Sequence, residues 1–371
     1  MRYLKQRPLV LGLIISIVIA VPLLGGILIY NWWNTPLGPP LGISDTSLVD
    51  HETYQVSELT LTEDPQKTIS PTETAVPTMT PYPTATPAPL AMCGGPDNLT
   101  ILVTGINSKS YTYGLSDAIR LVWVDFVNGK ITILPLPRDL WVDIPVSIPG
   151  VTKDITPGKL NQAYFYGSPG MGYYKEDDHS PGLLAKTLNF NFNVIIDRYF
   201  SVNTRIFRQM VDQIGGIDVI LPKTVYGHHL DDPVVYLRAG EHHLNGKQAE
   251  MVARHRKLIG DFGRMKNQTV LLKAFVKKLL SPQGIKELPE LIEIYQGNVL
   301  MDFSPSDISK LICLVSKIDL EEDVTFVNFP KDLVTEKKIY DKVNKYRAAA
   351  LIYDINEIRL LLAKLRLGIL P

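Results

Sequence analysis

The 371-residue chain carries 38 basic and 38 acidic side chains, so its formal charge is zero and it has no cationic excess with which to hold a nucleic-acid backbone. Hydrophobic residues make up 45% and the mean hydropathy is +0.06, which excludes disorder for most of its length. Apart from an apolar N-terminus and a polar stretch after it, roughly 280 residues remain for folded structure, the size of one large domain or a domain with an appendage.

Leu9 to Tyr30 is a run of 22 uncharged residues. As a helix it spans roughly 33 Å, enough for a hydrocarbon layer of about 30 Å. Arg2, Lys5 and Arg7 precede it, and no Lys or Arg follows until Lys67. This bias keeps the N-terminus in the cytoplasm and places everything after Trp33 outside. A cleaved signal peptide is the alternative, but the apolar run exceeds the usual length of about 7 to 15 residues and no clear small-x-small site follows. Residues 1–33 are therefore expected to be a cytoplasmic start and a single transmembrane helix acting as a signal anchor in the cell membrane, with 9–30 in the bilayer and Trp32 and Trp33 at its outer face.

Residues 34–91 hold 10 of the 27 prolines, and Pro71 to Leu90 has six Pro and six Thr. Such a segment cannot bury enough apolar surface to offset its ordering entropy, so a disordered extracytoplasmic linker is expected, with ends about 45 Å apart as a coil. Both cysteines, Cys93 and Cys313, lie beyond the span. An oxidising compartment permits one bridge between them; an exposed thiol at 93 and a buried one at 313 is the alternative.

The folded part opens with Leu99 to Thr104 (LTILVT), a continuous apolar run that reads as a strand buried on both faces. Ala118 to Asp125 and Lys130 to Leu136 follow as two β-branched runs joined through Asn128-Gly129, a strong hairpin signal. Further on the pattern predicts a helix near Ser180 to Leu188, a strand over Asn193 to Val202, a helix over Thr204 to Gln213 and a strand over Ile217 to Pro222. Glu250 to Arg256 reads as a strand, Phe262 to Leu280 as a long helix and about Tyr346 to Leu367 as a final helix. The expected fold is α/β, a mixed central β-sheet covered by helices on both faces. Residues 92–282 are read as the catalytic domain and 283–371 as a C-terminal helical appendage packed on it.

If Asn128 and Gly129 form a two-residue loop, Ala118 lies opposite Asp139, and Asp117 and Asp139 are neighbours roughly 5 to 8 Å apart. Carboxylates that close repel by about 3 kcal/mol at an effective dielectric of about 20, which favours a cation between them. Hard oxygen ligands suit Mg²⁺, which takes one or two carboxylates and completes its shell with water and phosphate. Arg254 and Arg256, read as strand residues, share a face and ask for an anion. Arg264 and Gln268 extend backwards the apolar line Leu271, Leu272, Phe275, Val276, Leu279, so both point coreward at a helix N-terminus, where phosphate binds. The histidine pairs 228–229 and 242–243 offer one ligand each at most and read as solvated loop residues, and tyrosines in the Gly-rich segment 164–174 read as loop packing.

Ser116-Asp117-Ala118-Ile119, Leu136-Pro137-Arg138-Asp139, Lys159-Leu160-Asn161-Gln162-Ala163-Tyr164, Val211 to Ile217, Leu244 to Ala249, Arg254-His255-Arg256 and Gly260-Asp261-Phe262-Gly263-Arg264 occur in the order and spacing of the LytR-CpsA-Psr family of bacterial cell-wall phosphotransferases, which the chain resembles over about residues 97–282. The resemblance implies a Mg²⁺-dependent enzyme of cell wall biogenesis that takes a glycopolymer from a polyprenyl pyrophosphate donor and joins it to peptidoglycan through a phosphodiester. It implies Asp117 and Asp139 as Mg²⁺ ligands and Arg138, Arg254, Arg256 and Arg264 as pyrophosphate-binding arginines. It places Asp261 and Gln268 at the family's polar positions at the start of the helix, and Lys159, Asn161 and Gln268 are read as substrate-binding groups. A carboxylate within reach of a sugar hydroxyl can take its proton, which makes Asp261 the candidate base; capping the helix and orienting Arg264 is the alternative. Leu115 and Asn267 stand where basic residues are common in the family. A lipid-pyrophosphate hydrolase and a non-enzymatic wall-polymer-binding or regulatory protein are the competing readings.

Overall fold

A computed structural model describes residues 26–42, 90–227, 235–284, 286–287 and 298–370. Most of the expected transmembrane segment and nearly all of the expected linker lie outside these residues. Residues 26–34 are helical, and no helix among the described residues is long and apolar enough to cross a membrane.

The scaffold is a six-stranded mixed sheet. Its strands are β1 (Asn98–Ile106), β2 (Ser116–Asp125), β3 (Lys130–Leu136), β4 (Arg198–Asn203), β7 (Leu300–Met301) and β8 (Val324–Phe326), in the spatial order β7-β4-β1-β2-β3-β8. The three strands β1 to β3 form an antiparallel meander, while β4 runs parallel to β1 and β8 parallel to β3. A second, two-stranded sheet pairs β5 (Ile217–Leu221) with β6 (Gly240–Leu244), and a third pairs β9 (Val334–Asp341) with β10 (Tyr346–Tyr353).

Helices cover both faces of the main sheet, as expected. On one side α1 (Leu160–Tyr166), α2 (His179–Phe192) and α7 (Ile355–Arg366) bury Leu183, Leu188 and Ile358 with Leu102, Leu121 and Leu134. On the other side α3 (Thr204–Gln213), α4 (Gly246–Arg254), α5 (Gly260–Leu279) and α6 (Pro305–Val315) join Val211, Val252, Leu271 and Leu314 to Ile101, Val124 and Ile133. Local chemistry starts these helices. The Asn203 side chain accepts the Ile206 N–H, Asn245 and Gln248 form a capping box, and Ser304 caps α6 behind Pro305. Asn193 ends α2 in the left-handed region and pushes the start of the following strand from the expected Asn193 to Arg198.

Several expectations change. The hairpin does not turn on two residues: Asp125 pairs with Lys130, leaving Phe126 to Gly129 as a four-residue loop. Asp125 causes this, because its Oδ1 accepts the N–H groups of Val127 and Asn128 at 2.9 and 2.8 Å, and Gly129 alone in the loop takes a positive φ, of 67°. Glu250 to Arg256 is not a strand. The capping box at Asn245 nucleates α4, which runs to Arg254 and leaves Arg256 in the turn after it. Tyr164 and Tyr166 belong to α1 and to the core rather than to a loop.

The segment after 282 is not a purely helical appendage, since β7 and β8 are the edge strands of the main sheet. Its run Tyr346 to Tyr353, rich in good helix formers, is strand β10 because the turn before it, pinned by Asp341 accepting from Val343 and Asn344, folds it back on β9. Cys93 and Cys313 form a disulfide that ties the start of the folded part to α6. Closing a loop with a separation of 220 residues stabilises by at most about 5 kcal/mol on the chain-entropy model. Cys93→Ser with Cys313→Ser is expected to lower the thermal unfolding midpoint by several degrees while leaving the far-ultraviolet circular dichroism unchanged, as a melt of the two proteins would show.

Candidate active site

Nine of the ten predicted site residues line one cleft of about 550 Å³ at the carboxyl ends of the parallel pair β1 and β4, and the tenth, Asp261, has its carboxylate buried beside Arg138 and Arg264 in its wall. Open α/β sheets bind ligands at such ends. The two-residue shift in the hairpin decides which groups meet there. Continuing the register beyond the Ile119–Leu136 pair puts Arg138, not Asp139, across from Asp117.

Arg138 is the hub. Its Nη1 lies 2.6 Å from Asp117 Oδ1, and its Nε lies 3.6 Å from Asp139 Oδ2 and 3.3 Å from Asp261 Oδ1. Burial pulls its pKa down, but the three carboxylates outweigh burial and hold it above the ordinary value. Lys159 approaches Asp139 to 2.8 Å, and Arg264, only 2% exposed, reaches Asp261 at 2.7 Å and the Asp117 carbonyl oxygen at 3.2 Å. Three acids therefore face three cations. The repulsion between Asp117 and Asp139 that the sequence argument assigned to a metal is balanced by side chains of the protein itself.

The backbone holds this cluster rigidly. Asn161 N–H at the start of α1 bonds to the Arg138 carbonyl, Leu160 N–H bonds to the Leu140 carbonyl, and Leu351 N–H in β10 bonds to the Asp139 carbonyl. The C-terminal segment thus braces the site, a role that no motif in residues 283–371 announces. Two amides complete the surroundings of Asp117: Asn107 Nδ2 donates to Oδ2 at 3.3 Å and Asn161 Nδ2 to Oδ1 at 3.5 Å. Asn107 was not among the expected site residues.

The other arginines ring the mouth. Arg254 and Arg256 both line the cleft and are exposed, not on a strand face but as the last residue of α4 and the second after it. Arg254 Nη1 rests 2.9 Å from Glu250 Oε1, and Arg208 pairs with the other oxygen of the same carboxylate. Gln268 lines the cleft as well and donates to the Ala253 carbonyl at 3.2 Å, tying α5 to the end of α4. Arg264, Gln268, Leu271, Leu272 and Phe275 share the cleft-facing side of α5, as the periodicity predicts.

Past the charged mouth the lining becomes apolar, with Val103, Phe200, Phe207, Leu271 and Phe275. Of the two positions where the family commonly carries basic residues, Leu115 lines the cleft and Asn267 is buried.

Asp261 sits among strongly opposing influences. Burial raises its pKa above the ordinary carboxylate value, Arg264 and Arg138 oppose that, and the charges of Asp139 and Asp117 add to it. Both its oxygens are buried and, although ion-paired, lack a well-aligned hydrogen bond; Asn161 Oδ1 is a second buried acceptor without a donor. These acceptors, with Asp117 and Asp139, fit a hard divalent cation. Among the described residues no group of three or more His, Cys, Asp or Glu is arranged to enclose a metal, but Mg²⁺ asks for only one or two carboxylates beside water and phosphate. His243 is bound to Asp218 on the β5–β6 sheet, away from this constellation, and His228-His229 lies outside the described residues.

A sequence model of the LytR_cpsA_psr family matches residues 66–359. The chain belongs to that family. The match runs well past residue 282 and so includes β9, β10 and the start of α7. Among curated relatives, the regulatory protein MsrR of Staphylococcus aureus strain COL is 29% identical over 249 residues, 66% of this chain and 67% of its own length. The polyisoprenyl-teichoic acid–peptidoglycan teichoic acid transferase TagU of Oceanobacillus iheyensis is 29% identical over 221 residues, 58% of this chain and 62% of its own. Among solved structures, Bacillus subtilis TagV shares the fold with a TM-score of 0.55 at 24% identity, covering 74% of this chain and 99% of TagV. TagT bound to LIIa-WTA does so with a TM-score of 0.53 at 20% identity, covering 73% of this chain and 91% of TagT.

Removing the hub cation leaves three acids facing only two cations, Lys159 and Arg264. Arg138→Met is expected to cost about 3 kcal/mol at neutral pH, as when one partner of a buried ion pair is lost. Burial already raises the Asp261 pKa against the opposing charges of Arg264 and Arg138, and without Arg138 it rises further above its unfolded value. The penalty should therefore shrink as the pH falls and Asp261 takes up a proton, which urea unfolding of both proteins between about pH 7 and pH 4 would measure.

Proposed function

We propose that the protein is a membrane-anchored extracytoplasmic phosphotransferase that moves a glycopolymer from a polyprenyl pyrophosphate carrier to peptidoglycan. One observation carries the reading: a single cleft joins a mouth of fixed arginines and carboxylates to an apolar interior. That is the shape of a ligand with a diphosphate head and a long hydrocarbon tail. The activity for which the relative TagU is named, teichoic acid transfer to peptidoglycan, supports the polymer class. The uncharged run 9–30, with its basic residues on the N-terminal side only, supports an anchor with the cytoplasm before it and the catalytic part outside.

In this scheme Arg254, Arg256 and Arg264 bind the diphosphate, and Asp117 and Asp139 would hold Mg²⁺, which supplies positive charge to the phosphate oxygens when bound. Lys159, Asn161 and Gln268 line the approach. A sugar hydroxyl of peptidoglycan attacks the phosphorus that carries the glycan. A new P–O bond forms, the P–O bond to the bridging oxygen breaks, and polyprenyl phosphate leaves with the electron pair. Fixed arginines stabilise the charge that develops on the departing phosphate. Asp261, its basicity raised by burial, takes the hydroxyl proton.

Purified protein incubated with a polyprenyl-pyrophosphate-linked glycan and wall fragments is expected to yield glycan joined to wall by a phosphodiester. Asp117→Ala and Arg254→Ala should each reduce the yield at least 100-fold, and removal of divalent ions with a chelator should do likewise, reversed by Mg²⁺. Release of free phosphorylated glycan without attachment would instead identify a lipid-pyrophosphate hydrolase. Undiminished attachment in both variants would favour a polymer-binding or regulatory protein, the role named for the relative MsrR.

A further inference from the structure

One buried cation in the cleft has no part in the scheme above. Arg120 points from the middle of β2 into the cleft lining, is 4% exposed, and sits between the apolar residues Ala118, Ile119, Leu121 and Val122. Its Nη1 donates to Thr269 Oγ1 at 3.2 Å, and among the described residues nothing accepts from Nη2. Burial alone pulls its pKa down to about 10, with no neighbouring carboxylate to hold it up. A guanidinium taken from water without a counter-charge is costly, and a sequence meant only to fill an apolar floor would place an aliphatic residue there.

Its place along the cleft says what would balance it. On α5, Arg264 and Gln268 mark the polar mouth and Leu271, Leu272 and Phe275 the apolar interior. Thr269, the hydroxyl partner of Arg120, falls between them. Arg120 therefore stands at the boundary where charge gives way to hydrocarbon. In a polyprenyl diphosphate that boundary is the phosphate esterified to the lipid, the inner of the two. The guanidinium fork is planar, weakly hydrated and matched to two phosphate oxygens, which suits it to a nearly dry position.

We propose that Arg120 is an inner anion-binding residue that holds the lipid-side phosphate of an isoprenoid phosphate ester, a role that rests on the donor class proposed above. It supplies from the sheet floor positive charge that Leu115 in the lining and the buried Asn267 do not supply. During transfer the electron pair of the broken P–O bond stays on the bridging oxygen of that inner phosphate, so Arg120 faces the group on which charge develops.

The test compares two ligands that share a tail, farnesyl monophosphate and farnesol, titrated calorimetrically against the full-length protein in detergent micelles and against Arg120→Met and Arg120→Lys. Arg120→Met is expected to weaken the phosphate ester at least tenfold while binding farnesol as well as, or better than, the parent. Arg120→Lys should recover part of the loss. Retained farnesol binding also shows that the variant cleft is folded. If Arg120→Met does not fold, the same comparison with Arg120→Lys must show selective weakening of the ester. Equal effects on both ligands, or none on either, would overturn the role of Arg120 and leave the donor class standing. Failure of the parent protein to bind farnesyl monophosphate at all would overturn both.

Discussion

Three carboxylates cannot share a half-buried corner of a protein without a cation between them, and Arg138 is that cation. The strands on either side of the hairpin deliver Asp117, Arg138 and Asp139, and the first turn of α5 delivers Asp261 and Arg264. With Lys159 the cluster is electrically balanced before any ligand arrives. A balanced cluster is a stiff one, because moving any member leaves a buried charge unpaired. That stiffness keeps Arg264 and the acids in place while the mouth arginines, Arg254 held by Glu250 and Arg256 beyond the end of α4, remain exposed to an incoming anion.

The rest of the fold can be understood as support for this corner. Helix α1 begins by binding the Arg138 carbonyl, β10 binds the Asp139 carbonyl, and Gln162 reaches Asp341 in the hairpin that carries β10 at 2.9 Å. Chain segments separated by some 200 residues in sequence thus fasten the same few backbone groups. Beyond the corner, α3, α4 and α5 stand over the face of β1, β2 and β4 and leave an apolar cleft between. The sheet supplies the floor, the helices the walls, and the polar groups are confined to one end.

Much of this was written in the sequence, for reasons that differ by element. The central strands are uniform apolar runs, and the α5 line from Arg264 to Phe275 has a helical period that survives folding intact. The hairpin was legible as a hairpin but not in register, because Asp125 captures the turn through its side chain, and that choice depends on three-dimensional geometry rather than on the Asn-Gly pair. Residues 250–256 alternate like a strand, yet the cap at Asn245 and Gln248 lies just upstream and was the better signal. Strand β10 is the opposite case, a good helix former held extended by its partner β9. Arg120 could have been noticed as a lone charge inside an apolar run. Asn107 could not, since only the fold brings it to Asp117.

The central claim is that one cleft binds the head and tail of a polyprenyl diphosphate together. A crystal structure of residues 92–371 with an isoprenoid diphosphate and Mg²⁺ tests it most directly. The account predicts a diphosphate contacting Arg254, Arg256 and Arg264, with its chain running inward along Phe200, Phe207 and Phe275. A diphosphate lodged elsewhere on the surface, or a chain directed out to solvent with the interior closed by side chains, would contradict it.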